Sequence, residues 1–456
     1  MSQVSWSIKP EEVFSSIAKH MLRDGFDIVI DMEKSKGSRI VNMLDGKEWL
    51  DFYTFFASSP FGMNHPKLAN DEFKEKIFRA AINKVANSDI YTREMAEFVK
   101  TFAEVAVPES HRHHLFFIDY GTLAVENAIK AAMDWKVRKN IEEGRIIHHG
   151  GDATYGTKVI HFKDSFHGRS GYTLSITNTA DPNKYLYFAK FDWPRILNPK
   201  ITFPLEDELE GVKEAEALSI KQIKNAIAKD PHGHCAIIIE TIQGEGGDNH
   251  FRTEFFRELR QICDDFELLL IFDEVQCGMG ITGKMWAWEH HGVAPDIFVF
   301  GKKSQICGIA SSRRIEEVEH NTWVVPSRNN STWGGNLVDM VRATRYLEIF
   351  RDDNILDYVS NTAGPALMKG LMEIQNEFSD YVCNVRGKGL MCAFDLKSVE
   401  TRDKVLKKCW EKHMLVIPCG THSIRFRPAL NVPLSDIEEG LNITRWALNQ
   451  VCSSAG

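Results

Sequence analysis

The stretch Leu268-Leu269-Leu270-Ile271-Phe272-Asp273-Glu274-Val275-Gln276 decides how the rest of this chain is read. Five apolar residues run straight into an acid. A continuous apolar run, rather than an alternating one, is the pattern of a strand buried on both faces, as in a parallel sheet covered by helices. An acid at the end of such a strand is costly unless something pairs with it, so Asp273 marks either a helix cap or a site with a positive partner. The pattern recurs on both sides. Residues 115–118, 159–162, 236–240 and 297–300 are apolar runs separated by longer amphipathic segments. This alternation, from about residue 85 to 330, predicts an α/β fold. A mainly parallel sheet is flanked by helices, with ligand chemistry at the carboxyl ends of its strands.

Polar residues follow several of these runs. After 297–300 come Gly301, Lys302 and Lys303. A lysine just past a buried strand loses its proton when desolvated or crowded by other cations, and its neutral amine condenses with aldehydes. A solvated Lys-Lys pair opening a loop would read the same way. One helix-sized segment separates Asp273 from Lys302, so the two are expected at the ends of adjacent strands. After 115–118, Tyr120-Gly121-Thr122 precede a helix whose apolar face includes Val125, Ile129, Ala132 and Met133. A glycine at a helix start lets backbone amides approach a phosphate, and the helix dipole favours the anion. After 159–162, Ser165-Phe166-His167-Gly168-Arg169 offers a ring to lie flat on a cofactor and an arginine to clamp a carboxylate.

Composition narrows the function classes. The chain has 456 residues, 43% hydrophobic and 26% charged, with a formal net charge of −8 and no long basic run. Neither a nucleic acid nor a membrane is expected as partner. No apolar stretch reaches the ~20 residues that span a bilayer. Glu11, Glu12, Lys19 and Asp24 interrupt the first residues, so no leader is expected and the cytoplasm is the expected location. The cysteines form no CxxC pair, and Cys235 and Cys392 sit in apolar runs, as buried reduced thiols do. His111/His113/His114, His148/His149, His232/His234 and His290/His291 lack metal-ligand spacing with nearby acids. They read as solvated loop histidines, and no metal is expected. Residues 1–75 are expected to begin a small domain, with strands at 28–32, 39–42 and 49–52. Residues 76–335 form the large domain. Residues 336–456 complete the small α+β domain, with strands at 389–396, 415–417 and 423–426 and a closing helix over 437–449.

In this order and spacing, the pieces resemble the class III aminotransferases of fold-type I, over nearly the whole chain. The motifs that carry the resemblance are Asp273-Glu274-Val275-Gln276 with Gly278-Met279-Gly280-Ile281-Thr282-Gly283, then Phe300-Gly301-Lys302, then Ser331-Thr332-Trp333-Gly334-Gly335-Asn336. The resemblance implies pyridoxal 5′-phosphate as cofactor. It implies Lys302 as the Schiff-base lysine and general base, with Lys303 as the alternate, and Asp273 as partner of the pyridine nitrogen. Val275 and Phe166 would pack on the two ring faces, and Gln276 would bond the ring's 3-oxygen. Gly121 and Thr122 would cradle the phosphate. Thr332 would reach the phosphate of a neighbouring subunit, which implies a homodimer with shared active sites.

Further likenesses lie in Phe55-Phe56-Ala57-Ser58-Ser59, Phe191-Asp192-Trp193-Pro194-Arg195 and Arg425-Phe426-Arg427-Pro428. Within the family they resemble members that move the terminal (ε) amino group of L-lysine to 2-oxoglutarate, giving 2-aminoadipate 6-semialdehyde and L-glutamate. Arg169 is then expected to hold lysine's remote carboxylate, helped by Asn330, and Arg425 the carboxylate beside the keto carbon. Glu245, in Gln243-Gly244-Glu245-Gly246-Gly247, would cover Arg425 while lysine is bound and swing away for the keto acid. Asp119-Tyr120 before Gly121, and a bulky Phe61 near the site mouth, depart from that pattern and bear on the choice of donor. Three alternatives stay open: another ω-aminotransferase taking ornithine, GABA or a polyamine; a racemase or aminomutase with the same cofactor; and a non-catalytic relative.

Overall fold

The computed structural model describes residues 5–146 and 155–452. Two short strands come first, β1 (Arg39–Val41) and β2 (Glu48–Asp51). The central sheet follows: β3 (His114–Ile118), β4 (Lys158–Phe162), β5 (Arg195–Ile196), β6 (His234–Glu240), β7 (Leu269–Asp273), β8 (Ile297–Phe300) and β9 (Cys307–Ser311). In space they run β3-β9-β8-β7-β6-β4-β5, and β9 alone is antiparallel to its neighbours. The apolar runs are strands because both faces are covered. Leu270, Phe272, Phe298 and Phe300 enter one core with Phe255, Phe256 and Ile262 of the helix Thr253–Asp265. The alternating residues Leu269, Ile271, Ile297 and Val299 enter a second core with Val125, Ile129 and Trp135 of the helix Gly121–Glu142.

The remaining strands are β10 (Val382–Lys388), β11 (Met391–Leu396), β12 (Met414–Leu415), β13 (Ile417–Cys419) and β14 (Ser423–Phe426). Four of them form a sheet ordered β10-β11-β14-β13, while β12 pairs in parallel with β2. The first and last parts of the chain therefore share a sheet. A helix, Leu434–Cys452, closes the described chain. No helix among the described residues is long and apolar enough to cross a membrane.

Several sequence expectations need correction. Residues 28–32 form one isolated bridge, Ile30 with Asn42, rather than a strand. The single strand expected at 415–417 is two strands joining different sheets. Phe61 is fully buried, not at a site mouth, with its ring against Phe350, Tyr346 and His65 at 5.0, 5.4 and 5.5 Å between centroids. A large aromatic ring gains more from a packed core than from a wet rim. The histidines are not all solvated either. His111 is buried with Nε2 3.0 Å from the Pro295 carbonyl, His234 is buried on β6, and His290 and His291 are half-buried. His148 and His149 lie outside the described residues.

Candidate active site

Parallel register brings the chemistry to one edge of the sheet. Glu240 at the end of β6 pairs with Asp273 at the end of β7, and Asp273 pairs with Val299 near the end of β8. Beyond β8 the chain turns through Gly301 and Lys302, which has φ +54°. A cavity of about 300 Å³ opens there. Lys302, Asp273, Val275 and Gln276 line it from β7 and β8; Gly121 and Thr122 line it from the start of the helix after β3. The loop after β4 contributes Phe166, His167, Gly168 and Arg169, and β6 contributes Glu240.

The two adjacent lysines part company. Lys303 is buried away from the cavity, its Nζ donating to the Gln276 carbonyl at 2.9 Å. Lys302 faces the cavity. Burial, with Arg425 and Arg427 nearby, brings the Lys302 ammonium down to about 8 from an ordinary 10.5. Near neutral pH the neutral share of this amine is therefore well above that of an ordinary lysine. Only the neutral amine attacks an aldehyde. Cofactor uptake by the apoprotein, followed by absorbance, is therefore expected to rise through pH 8 and level off above it. A rise still continuing toward pH 10.5 would show that this lysine is unperturbed.

Asp273 is held on both oxygens. Oδ1 accepts from the Val275 amide at 3.1 Å, and Oδ2 lies 2.8 Å from Nδ1 of the buried His167. Facing a carboxylate, that nitrogen carries the proton. Glu240 ties two loops to the same edge: its oxygens accept from the Phe166 amide at 2.9 Å and the Gly244 amide at 3.1 Å. Burial pushes the Glu240 carboxyl up to about 7. Sequence reasoning gave no role to His167 or Glu240. The first stood inside a quoted motif and the second ended a quoted strand, but pairing across strands leaves no local signal.

The helix Gly121–Glu142 starts at the cavity, and its N-cap residue, Tyr120, makes no side-chain capping hydrogen bond. Its start is fastened to the neighbouring loop by Thr122 Oγ1, which lies 2.8 Å from Thr173 Oγ1 and 3.2 Å from Ser170 Oγ. Gly168 in that loop has φ +141°, and a Cβ there would meet Thr122 Oγ1 at 2.1 Å. No other residue fits. Gln276 is oriented by two arginines: its Oε1 accepts from Arg425 Nη1 at 3.1 Å and Arg427 Nη2 at 3.3 Å. Its Nε2 is left as the donor.

The other expected residues divide. Arg425 is buried, and its Nη2 donates to Glu245 Oε2 at 2.7 Å, so Glu245 covers it. Arg169 is exposed at the cavity wall and has no ion-pair or hydrogen-bond partner among the described residues. Asn330 and Thr332 are exposed and do not reach this chain's cavity. Tyr120 is exposed and does not line it either.

A family model described as Aminotransferase class-III matches residues 21–448, and the chain belongs to that family. The L-lysine-epsilon aminotransferase of Mycobacterium tuberculosis (strain ATCC 25618 / H37Rv) is 47% identical over 440 residues, 96% of either chain. That of Streptomyces clavuligerus is 41% identical over 451 residues, 98% of this chain and 96% of the other. The mitochondrial 4-aminobutyrate aminotransferase of Homo sapiens is 30% identical over 413 residues, 87% of this chain and 80% of the other. A solved structure of lysine aminotransferase from M. tuberculosis, in its internal aldimine form, matches with a TM-score of 0.93 at 45% identity, covering 97% of this chain and 100% of that one.

Class III aminotransferases use pyridoxal 5′-phosphate. The cavity fits it. An uncapped helix start suits a phosphate, a fixed carboxylate suits a pyridinium, and an amine with a lowered pKa suits an aldehyde.

Proposed function

We propose that the protein is a lysine ε-aminotransferase, moving the terminal amine of L-lysine to 2-oxoglutarate to give 2-aminoadipate 6-semialdehyde and L-glutamate. One observation carries the reading: a buried arginine covered by a carboxylate stands beside a cavity whose wall holds an arginine with no ion-pair partner among the described residues. Lysine has only methylenes beside its reacting ε-amine and its carboxylate far away, which suits Arg169 with Arg425 covered. 2-Oxoglutarate presents a carboxylate next to its reacting carbon, which suits Arg425 uncovered. The relatives named for lysine transfer, at 41% to 47% identity, support the same donor.

Bound pyridoxal 5′-phosphate supplies an aldehyde for the amine and a ring that spreads the electrons of a broken C–H bond. The protein's part is to hold and to move protons. Lys302 would hold the aldehyde through Nζ, and the same amine, when free, would serve as general base at the substrate carbon. Asp273, fixed by His167 and the Val275 amide, is the carboxylate that would accept from the protonated ring nitrogen and keep its proton in place. Gln276 would give Nε2 to the ring's 3-oxygen, Val275 and Phe166 would hold the ring, and Gly121 and Thr122 would take the phosphate. Asn330 and Thr332, outside their own chain's cavity, would serve a second subunit, so we infer a homodimer with shared sites.

The test is a panel of amine donors with 2-oxoglutarate, measuring glutamate. Lysine is expected to be the best donor. Ornithine or GABA working while lysine fails would replace the donor and keep the class. Glu245→Ala leaves Arg425 open in both half-reactions, so lysine's carboxylate is drawn to the wrong arginine. The maximal rate of the lysine half-reaction is expected to fall on the order of tenfold while that of the 2-oxoglutarate half-reaction holds. An unchanged ratio between the two would count against the gate.

A further inference from the structure

Glu245 is held by two cations. Its Oε2 accepts from Arg425 Nη2 at 2.7 Å, and its Oε1 is ion-paired with Lys184 Nζ. The cations come from different places. Arg425 is buried on β14. Lys184 ends the short turn Pro182–Lys184, in the irregular stretch between the helix Gly171–Ile176 and β5. Lys184 Nζ also stands 5.9 Å from the centre of the Phe166 ring, at the cavity wall. Its other acidic neighbour among the described residues is Asp181, at 4.0 Å. Burial pushes the Glu245 carboxyl up, but Arg425 and Lys184 outweigh it and hold the group below its ordinary value.

A carboxylate that releases Arg425 must keep a partner. A largely buried charge left alone is strongly unfavourable. With Arg425 as its sole cation, Glu245 would stay closed and compete with any incoming carboxylate. We propose that Lys184 is the second seat of the Glu245 gate: it keeps Glu245 paired while Arg425 is given over to the keto acid's carboxylate, and so sets how well the second substrate is accepted. Lys184 is a positioning residue, working through Glu245. The inference rests on the two-substrate reading above and adds to it the residue that makes opening affordable.

The test uses the cofactor-loaded enzyme, with each half-reaction followed separately by stopped-flow absorbance. In Lys184→Met, the Kd for 2-oxoglutarate is expected to rise on the order of tenfold while that for L-lysine moves less than about twofold. Lys184→Arg is expected to restore it. Calorimetric binding of glutarate, an unreactive dicarboxylate, should weaken by the same factor. In a Glu245→Gln background no charge needs the second seat, so adding Lys184→Met should leave 2-oxoglutarate binding where Glu245→Gln alone put it. Equal losses for both substrates, no loss, or a loss undiminished in the Glu245→Gln background would each overturn the second seat. The function itself fails in another way: the unaltered protein makes no glutamate from 2-oxoglutarate with any terminal-amine donor.

Discussion

Lys302→Ala is expected to yield a folded protein that forms no covalent link to pyridoxal 5′-phosphate and whose transamination falls by on the order of 10⁴-fold or more, since binding of the aldehyde and proton transfer are lost together. The expectation is sharpened by the neighbour. Lys303→Met should keep the link, because Lys303 spends its Nζ on the Gln276 carbonyl and lies outside the cavity. Borohydride reduction followed by peptide mapping separates the two. Label at position 302 is expected in both the unaltered protein and Lys303→Met. Label at 303 in either would falsify the assignment. Folding is not a confounder for Lys302→Ala. Removing an amine that burial already disfavours as a cation relieves a desolvation penalty, and an alanine at φ +54° carries the same backbone strain as the lysine it replaces.

That choice between adjacent lysines shows where sequence stops being legible. Two consecutive residues at a loop start carry no periodic signal. What separates them is a left-handed backbone at one and a carbonyl 27 residues away for the other's amine. The central strands were legible for the opposite reason: burial on both faces writes a continuous apolar run. β9 was not, since Cys307–Ser311 holds a glycine and lacks a long run, and only its pairing with β3 and β8 makes it a strand. The same limit hid His167, which meets Asp273 from 106 residues away, and Lys184, which meets Glu245 from 61. Glu245 over Arg425 was expected from family likeness alone, and the two are 180 residues apart. Phe61 was misplaced because an aromatic near functional motifs reads the same whether it faces a cavity or a core.

Asp273→Asn keeps size and shape but removes the charge, and it is expected to lower kcat by on the order of 10³-fold. A neutral amide cannot hold the proton on a ring nitrogen, so the ring no longer draws electrons from the substrate carbon. The Val275 amide can still donate to the remaining oxygen, and the loop after β7 stays in place. The consequence for His167 makes the prediction specific. Among the described residues its buried Nε2 has no partner, and Nδ1 has Asp273 as its one acceptor. The contact with Asp273 is therefore the route by which His167 is expected to contribute. His167→Phe alone is expected to cost roughly 10- to 100-fold, the usual effect of removing the group that orients a site carboxylate. In the Asp273→Asn background the same change should cost almost nothing further. If the two losses instead multiply, His167 acts on the cofactor or substrate by a route of its own, and Asp273 is not the sole link between the loop after β4 and the chemistry at the end of β7.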